Sequence, residues 1–94
     1  MGRRYRDKKT SHFAEGGFVP QFESFKVKAY EKLDFLESAT RLADFTFPPS
    51  NHFEKLAGDR KGQYSIRINK QWRICFNWSD ERLEAFNIEI VDYH

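Results

Sequence analysis

This sequence of 94 residues is poor in cysteine, in proline and in long apolar runs, and each shortage excludes a class of protein. The single cysteine, Cys75, excludes an internal disulfide framework, and it lacks the partners that a zinc site needs. No apolar stretch approaches membrane-spanning length, and the basic N-terminus lacks the apolar segment of a signal peptide. We therefore expect a cytoplasmic protein without membrane attachment.

Aromatic and charged residues, in contrast, are abundant. Phe, Tyr and Trp make up 17% of the chain and charged residues 32%. This balance is typical of a compact globular protein, because each aromatic ring buries a large apolar area. The length is sufficient for one small hydrophobic core. We expect a single domain over residues 1–94, in which residues 1–20 could be flexible.

The net charge of +2 is small but unevenly distributed. Residues 1–9 contain five basic residues and one acidic residue, and residues 51–79 contain six basic and two acidic residues. Residues 80–94 contain one basic and five acidic residues. The two basic blocks suit a polyanion, because neutralising phosphates releases condensed counterions. Charge alone leaves open the alternative of an ordinary solvated surface.

The first half of the chain has helical patterns. Residues 3–6 could form a short edge strand, and residues 8–14 a short helix that ends at Gly16-Gly17. After Pro20, apolar residues at helical spacing predict an α-helix with one buried face: Phe22, Phe25, Ala29, Leu33 and Leu36. Residues 39–43 either extend this helix or form a second one, and residues 47–51 predict a loop.

The second half has strand patterns. Residues 53–56 read as a weak strand, and residues 58–62 as a turn-rich connection. Apolar residues then alternate with polar ones in three further strands, which predicts that one face packs against the helices: Tyr64, Ile66, Ile68; Trp72, Ile74, Phe76, Trp78; Phe86, Ile88, Ile90. Asn69-Lys70 predicts a two-residue turn. Arg67 and Arg73 would share the opposite face. The predicted fold is therefore α+β, with N-terminal helices on one face of a mostly antiparallel sheet and its other face open to a ligand.

The chain ends with a cluster of residues that handle protons or phosphate oxygens, namely Asp92, Tyr93 and His94. A strand directly before them could aim His94, whose side chain is suited to general acid–base catalysis. The alternative is a frayed chain end. Arg73 could contact a phosphate, because a guanidinium presents a fork of donors. Its alternative is an ion pair with Glu89 across the sheet.

Three stretches together resemble the HigB toxins of the RelE/ParE superfamily. They are the run from Glu54 to Asn69 with its turn Gly58-Asp59-Arg60-Lys61-Gly62, the strand Trp72-Arg73-Ile74-Cys75-Phe76, and the end Val91-Asp92-Tyr93-His94. The segment Ala39–Asp44 is also similar to the middle of those proteins. The resemblance extends over most of residues 22–94 and is most specific in the last forty.

The resemblance implies a type II toxin with a RelE-like fold that cleaves mRNA in the ribosomal decoding site without a metal or cofactor. It also implies inhibition by a helix-turn-helix antitoxin of the HigA type, with operator DNA bound only through that antitoxin. The family's arginine falls on Arg73, and its terminal motif on Asp92, Tyr93 and His94. Glu54 and Ala57 stand where some members have histidine and lysine, so the resemblance does not assign proton-transfer roles to these two positions.

The remaining candidates are assigned as follows. Glu54 is a candidate base, with a solvated carboxylate as its alternative, and His52 could substitute if the strand were regular. Five basic residues are candidate contacts to mRNA or ribosomal RNA: Arg67, Lys55, Arg60, Lys61 and Lys70. The three histidines, His12, His52 and His94, are too scattered for a recognisable metal site. The alternative function is a non-catalytic RNA-binding module or a gyrase-poisoning member of the superfamily.

Overall fold

The computed structural model describes residues 4–92, so the predictions for Tyr93 and His94 lie outside the described residues. The helices are α1 (Lys8–Ala14) and α2 (Lys26–Ser38). The strands are β1 (Glu54–Lys55), β2 (Tyr64–Arg67), β3 (Trp72–Ser79) and β4 (Glu84–Asp92), in the order β1-β2-β3-β4, with each neighbouring pair antiparallel. Short 3-10 helices cover Pro20–Phe25, Leu42–Thr46, Pro49–Asn51 and Gly58–Arg60. This architecture confirms the predicted α+β class. Among residues 4–92, no helix is long and apolar enough to cross a membrane.

The helical predictions are confirmed in part. The helix at residues 8–14 has the predicted bounds, and the Asp7 side chain caps it by accepting from the Thr10 amide. All five apolar residues after Pro20 are buried, but the first two lie on a 3-10 helix, because the backbone at Phe25 leaves the α conformation. The α-helix then ends at Ser38. Ala39 is extended, so residues 39–43 do not extend it.

Residues 4–6 run along the outer edge of β4. Tyr5 forms a parallel bridge with Ile88, in which the Ile88 amide donates to the Arg4 carbonyl and the Arg6 amide to the Ile88 carbonyl. The buried hydroxyl of Thr10 accepts from the Ile90 amide two residues further on. The edge strand predicted at residues 3–6 is thus reduced to one β-bridge. Its hydrogen bonds satisfy backbone groups of Ile88 that β4, as the last strand of the sheet, would otherwise expose.

The strand predictions are correct except at two points. The β2–β3 connection is not a two-residue turn but the four-residue loop 68–71. The side chain of Asn69 is the physical reason, because its Oδ1 accepts from the amides of Gln71 and Trp72, both at 2.8 Å. The side chain thus adds to the backbone hydrogen bonds across the loop, in which the amides of Ile68 and Asn69 donate to the Trp72 carbonyl.

The second error concerns Phe86, which was predicted to face the core. Between the pairs Cys75–Glu89 and Asn77–Phe86, β4 has one residue more than β3, and Asn87 adopts φ 57°. This β-bulge shifts the alternation by one residue, so that Ala85 and Ile88 are buried while Phe86 is exposed.

Phe45 lies at the centre of the aromatic core. Its ring centroid is 5.0 Å from that of Phe76, 5.3 Å from Phe35, and 5.7 Å from Trp78. It therefore joins the segment after α2 to the apolar face of β3. Because its side chain is fully buried, Phe45 closes the core that the helices and the sheet share.

We expect Phe45→Ala to lower the free energy of unfolding by about 3–5 kcal/mol, because it removes a buried ring and leaves a cavity. Urea denaturation followed by tryptophan fluorescence measures this change. Phe47 is 75% exposed and two residues away, so Phe47→Ala is the matched control, with an expected change within about 0.5 kcal/mol. Equal losses for the two variants would show that Phe45 is not central to the core.

Candidate functional site

The candidate site is built around Arg73, which is only 8% exposed although it carries a charge. Its Cα lies directly opposite that of Arg67, which places both arginines on the sheet face away from the helices, as predicted. Its Nε donates to Ser65 Oγ at 2.9 Å, and one terminal nitrogen donates to the backbone carbonyl of His52. The other terminal nitrogen lies 3.1 Å from Glu54 Oε1. Contacts from β1, β2 and the preceding loop therefore hold the guanidinium in one orientation.

Ser65 is a contact of the candidate site that the sequence analysis missed. It is fully buried, and it pairs with Glu54 on β1 and with Cys75 on β3. Strand alternation alone would have found it, because Ser65 lies two residues before Arg67 on the same strand face. Its hydroxyl fixes Arg73 without neutralising its charge.

Glu54 lies on β1, and its side chain is 50% exposed. The pairing of Arg73 with Glu54 differs from the alternative considered from sequence, an ion pair with Glu89. Glu89 pairs with Arg60 at 3.2 Å and with Arg6 at 3.8 Å. Arg73 is therefore paired with the half-exposed carboxylate of Glu54, at the edge of the sheet.

At His52 the structure also departs from the sequence analysis, which considered a regular strand at this residue. The strand begins only at Glu54, and His52 adopts a left-handed conformation with φ 45° and ψ 50°. Its ring Nε2 lies 3.0 Å from a terminal nitrogen of Arg67, whose Nε donates to the Asn69 carbonyl. His52 thus contacts both arginines, one through its ring and the other through its backbone.

Asp92 lies at the end of β4, where its Cα pairs with that of Trp72. Both of its carboxylate oxygens accept from Gln71 Nε2 at 3.1 Å. Gln71 is a further residue that the sequence analysis missed, and it ties the predicted terminal motif to the β2–β3 loop.

The other basic candidates are spread around this centre. Arg60 also donates to the side chain of Gln63, so the ion pair with Glu89 is part of a fixed network. Lys55, Lys61 and Lys70 are exposed, on β1, in the turn after Arg60, and in the β2–β3 loop respectively. The structure therefore brings Arg73, Glu54 and Arg67 together and leaves the three lysines at the periphery.

The face that carries Arg73 is less open than predicted. Ser65 and Cys75 on this face are fully buried, and Arg60 and Arg6 meet over Glu89, the β4 partner of Cys75. Polar and charged side chains thus close the centre of this face. Within residues 4–92, no group of three or more His, Cys, Asp or Glu side chains is placed to hold a metal ion.

A family model for the RelE-like toxin of the type II toxin–antitoxin system HigB matches residues 3–94. The chain belongs to the HigB-like toxin family. Toxin HigB-1 of Vibrio cholerae is 37% identical over 84 residues, which is 85% of this chain and 86% of that protein. An uncharacterised protein of Haemophilus influenzae is 31% identical over 70 residues, 74% of this chain and 68% of the relative.

Among solved structures, the YoeB–YefM complex from Staphylococcus aureus is similar, with 26% sequence identity and a TM-score of 0.43 over 82% of this chain and 92% of that chain. The resemblance of the sequence to HigB toxins is confirmed by the family model and by the Vibrio relative. The protein is therefore a type II toxin–antitoxin toxin of the HigB, RelE-like family.

Cys75 of this HigB-like toxin lies beside the site but has the properties of a packed residue. It is fully buried, and burial raises the pKa of its thiol above the ordinary value. Since the thiolate is the reactive form, a raised pKa and an inaccessible sulfur both lower its reactivity.

We expect Cys75 to resist alkylation by iodoacetamide at pH near 8 in the folded toxin, and to react fully after denaturation in guanidinium. Mass spectrometry of the alkylated protein measures both states. Alkylation of the folded toxin at the rate of a small free thiol would show that the sulfur is accessible and would contradict the closed sheet face.

Proposed function

We propose that this toxin is a metal-independent endoribonuclease that cleaves mRNA in the decoding site of the ribosome. RNA contains its own nucleophile, the 2′-hydroxyl, so the protein needs only to align the phosphate, transfer protons and stabilise charge. The support comes from membership of the HigB family and from the arrangement around Arg73.

The observation that carries the proposal is the fixed, buried guanidinium of Arg73. Burying a cation costs free energy unless acceptors surround it, and here Ser65 Oγ, the His52 carbonyl and the Glu54 carboxylate fill that role, of which only Glu54 carries an opposite charge. The terminal nitrogen at Glu54 already contacts a carboxylate oxygen, which a phosphate oxygen resembles as an acceptor. Such a preorganised donor stabilises the charge that develops on the phosphate during cleavage.

The proton-transfer groups in this proposal are His94 and Glu54. His94 would act as a general acid or base, Tyr93 would stack on the base or share in proton transfer, and Asp92 would hold the end of the chain beside Gln71. Glu54 is a candidate base because its carboxylate is half-exposed beside Arg73.

Dependence on the ribosome follows from the sparse free positive charge. Arg60 and Arg6 share the carboxylate of Glu89, so neither offers a full unpaired charge to RNA. The exposed lysines 55, 61 and 70, together with Arg67, provide a modest basic surface. Ribosomal RNA would add contacts to this surface and hold the mRNA for in-line attack. In the cytoplasm, a helix-turn-helix antitoxin of the HigA type would inhibit the toxin and provide the contact to operator DNA.

We expect brief expression of the toxin alone to stop translation and to generate new 5′ ends within translated mRNA. Co-expression of its antitoxin should prevent both effects. Sequencing of mRNA 5′ ends, with an untranslated RNA as the control, measures the cleavage. If translation continues while DNA supercoiling collapses, the protein belongs instead to the gyrase-poisoning branch.

We expect Arg73→Ala to lower the rate of ribosome-dependent cleavage by about 10²-fold or more, as for the loss of a transition-state donor. Purified ribosomes programmed with a defined mRNA measure the rate. Arg73→Lys retains the positive charge but loses the forked donor geometry of the guanidinium. Relative to Arg73→Ala, it should therefore restore the stability of the fold more fully than the rate of cleavage.

Arg60→Ala is the matched control for the loss of an arginine on the same sheet face. Because Arg60 is paired with Glu89, its effect on cleavage should be mild. Thermal denaturation of all three variants separates loss of folding from loss of chemistry. If Arg73→Ala is folded and cleaves at the parental rate, Arg73 is a structural residue and the proposed role is wrong.

A further inference from the structure

Glu54 pairs with Arg73 at the edge of the sheet. The side chain of Arg73 extends from β3 across β2 to Glu54 on β1, past the small, buried Ser65. One terminal nitrogen of its guanidinium lies 3.1 Å from Glu54 Oε1, and the other donates to the backbone carbonyl of His52. Because Arg73 is 8% exposed and the Glu54 side chain is 50% exposed, solvent reaches this ion pair from the side of the carboxylate.

The described acceptors of the guanidinium differ in how easily an incoming anion can replace them. Ser65 is fully buried, and the His52 carbonyl belongs to a backbone that the bond from the His52 amide to the Pro49 carbonyl holds in place. The Glu54 carboxylate, in contrast, lies at the end of a half-exposed, flexible side chain on a two-residue edge strand. A phosphate that approaches Arg73 therefore competes with Glu54 rather than with Ser65 or His52.

This ion pair lowers the net positive charge that a phosphate encounters at the site. The Glu54 carboxylate neutralises the charge of Arg73, and a phosphate beside the pair would lie next to a second anion, which repels it. Arg67, the partner of Arg73 in the β2–β3 register, is only partly exposed and donates to the Asn69 carbonyl. The full charge of Arg73 thus becomes available to a phosphate only when the carboxylate moves away.

We propose that the Glu54 carboxylate occupies the position of the RNA phosphate at Arg73 in the free toxin, and that RNA displaces it on binding. The inference rests on the proposed ribonuclease function. Glu54 accordingly limits the affinity for RNA, and contacts made elsewhere along the RNA supply the free energy that displaces it. This role differs from that of a general base, because the ion pair affects the affinity whereas a base affects the rate of the chemical step.

The first experiment measures binding without cleavage. A fluorescent 2′-O-methyl oligoribonucleotide, which lacks the attacking hydroxyl, is titrated with the full-length toxin at low salt, and its anisotropy gives the affinity. Glu54→Gln retains the shape of the side chain and an acceptor for Arg73 but removes the negative charge. We expect the affinity to rise by roughly fivefold, the upper range for a partly exposed ion pair.

Asp59→Asn is the matched control for the loss of one negative charge. Asp59 is exposed on the short 3-10 helix Gly58–Arg60, which follows β1. Its replacement changes the net charge of the toxin by the same amount but leaves the pair of Glu54 with Arg73 intact. The affinity of Asp59→Asn should therefore rise much less than that of Glu54→Gln.

The dependence of the affinity on salt separates competition at Arg73 from a general effect of charge. In the parental toxin, a phosphate that displaces Glu54 exchanges one counter-charge of Arg73 for another, so this contact releases no net counterion. In Glu54→Gln the contact does release one, and the slope of log affinity against log salt should become steeper by up to about 0.7. In an Arg73→Ala background, Glu54→Gln should produce neither the larger gain nor the steeper slope.

Three results would overturn the inference. They are a gain for Glu54→Gln no larger than that for Asp59→Asn, an equal gain in the Arg73→Ala background, and the absence of measurable binding by every variant, since removal of the carboxylate would then not have opened the site. Glu54→Ala should show the same gain as Glu54→Gln, and thermal denaturation verifies that each variant is folded.

Cleavage on programmed ribosomes tests the proposed function separately. If the parental toxin cleaves and Glu54→Gln gains no affinity, the competition at Arg73 is rejected and the ribonuclease function stands. A parental toxin that does not cleave on ribosomes rejects the ribonuclease function, whereas a gain in affinity would still show that Glu54 competes with an RNA phosphate.

Discussion

The buried guanidinium of Arg73 is the interaction on which the arrangement of the site depends. A cation that is 8% exposed needs acceptors on several sides, and the sheet register supplies them from β1, from β2 and from the loop before β1. The same contacts bring Glu54, Ser65 and His52 together, although the three lie on separate segments. Desolvation of one charge thus dictates the geometry of the residues around it.

Ion pairs cover the remainder of this sheet face. Glu89 pairs with Arg60 and Arg6, and these contacts join the turn after β1 and the N-terminal segment to β4. The arrangement stabilises the fold locally but removes two arginines from the positive surface that the charge distribution had suggested. The number of basic residues in a segment therefore overestimates the unpaired positive charge that is available to a polyanion.

The helix-covered face of the sheet depends on aromatic packing instead. Rings from the segment after α2 and from β3 meet at Phe45, which closes a core that also contains buried isoleucines of β2, β3 and β4. The buried Asn51 bonds the backbone carbonyl of Phe45 and thereby couples this core to His52. A hydrogen bond between two residues six positions apart thus connects the core to the loop that carries His52.

The sequence by itself determined the features that arise from local periodicity. The alternation in β2 and β3 placed Arg67 and Arg73 on one face, and the helical spacing identified the buried side of α2. The turn, the hairpin and the terminal motif also identified the family, because those residues are close in sequence. Tertiary structure decided the rest: the bulge at Asn87 that exposes Phe86, the Asn69 loop, and the place of His52 between two arginines. The bulge depends on one residue inserted into the register, the loop on a side chain that bonds neighbouring amides, and the place of His52 on contacts between distant segments. A period of two or 3.6 residues encodes none of these.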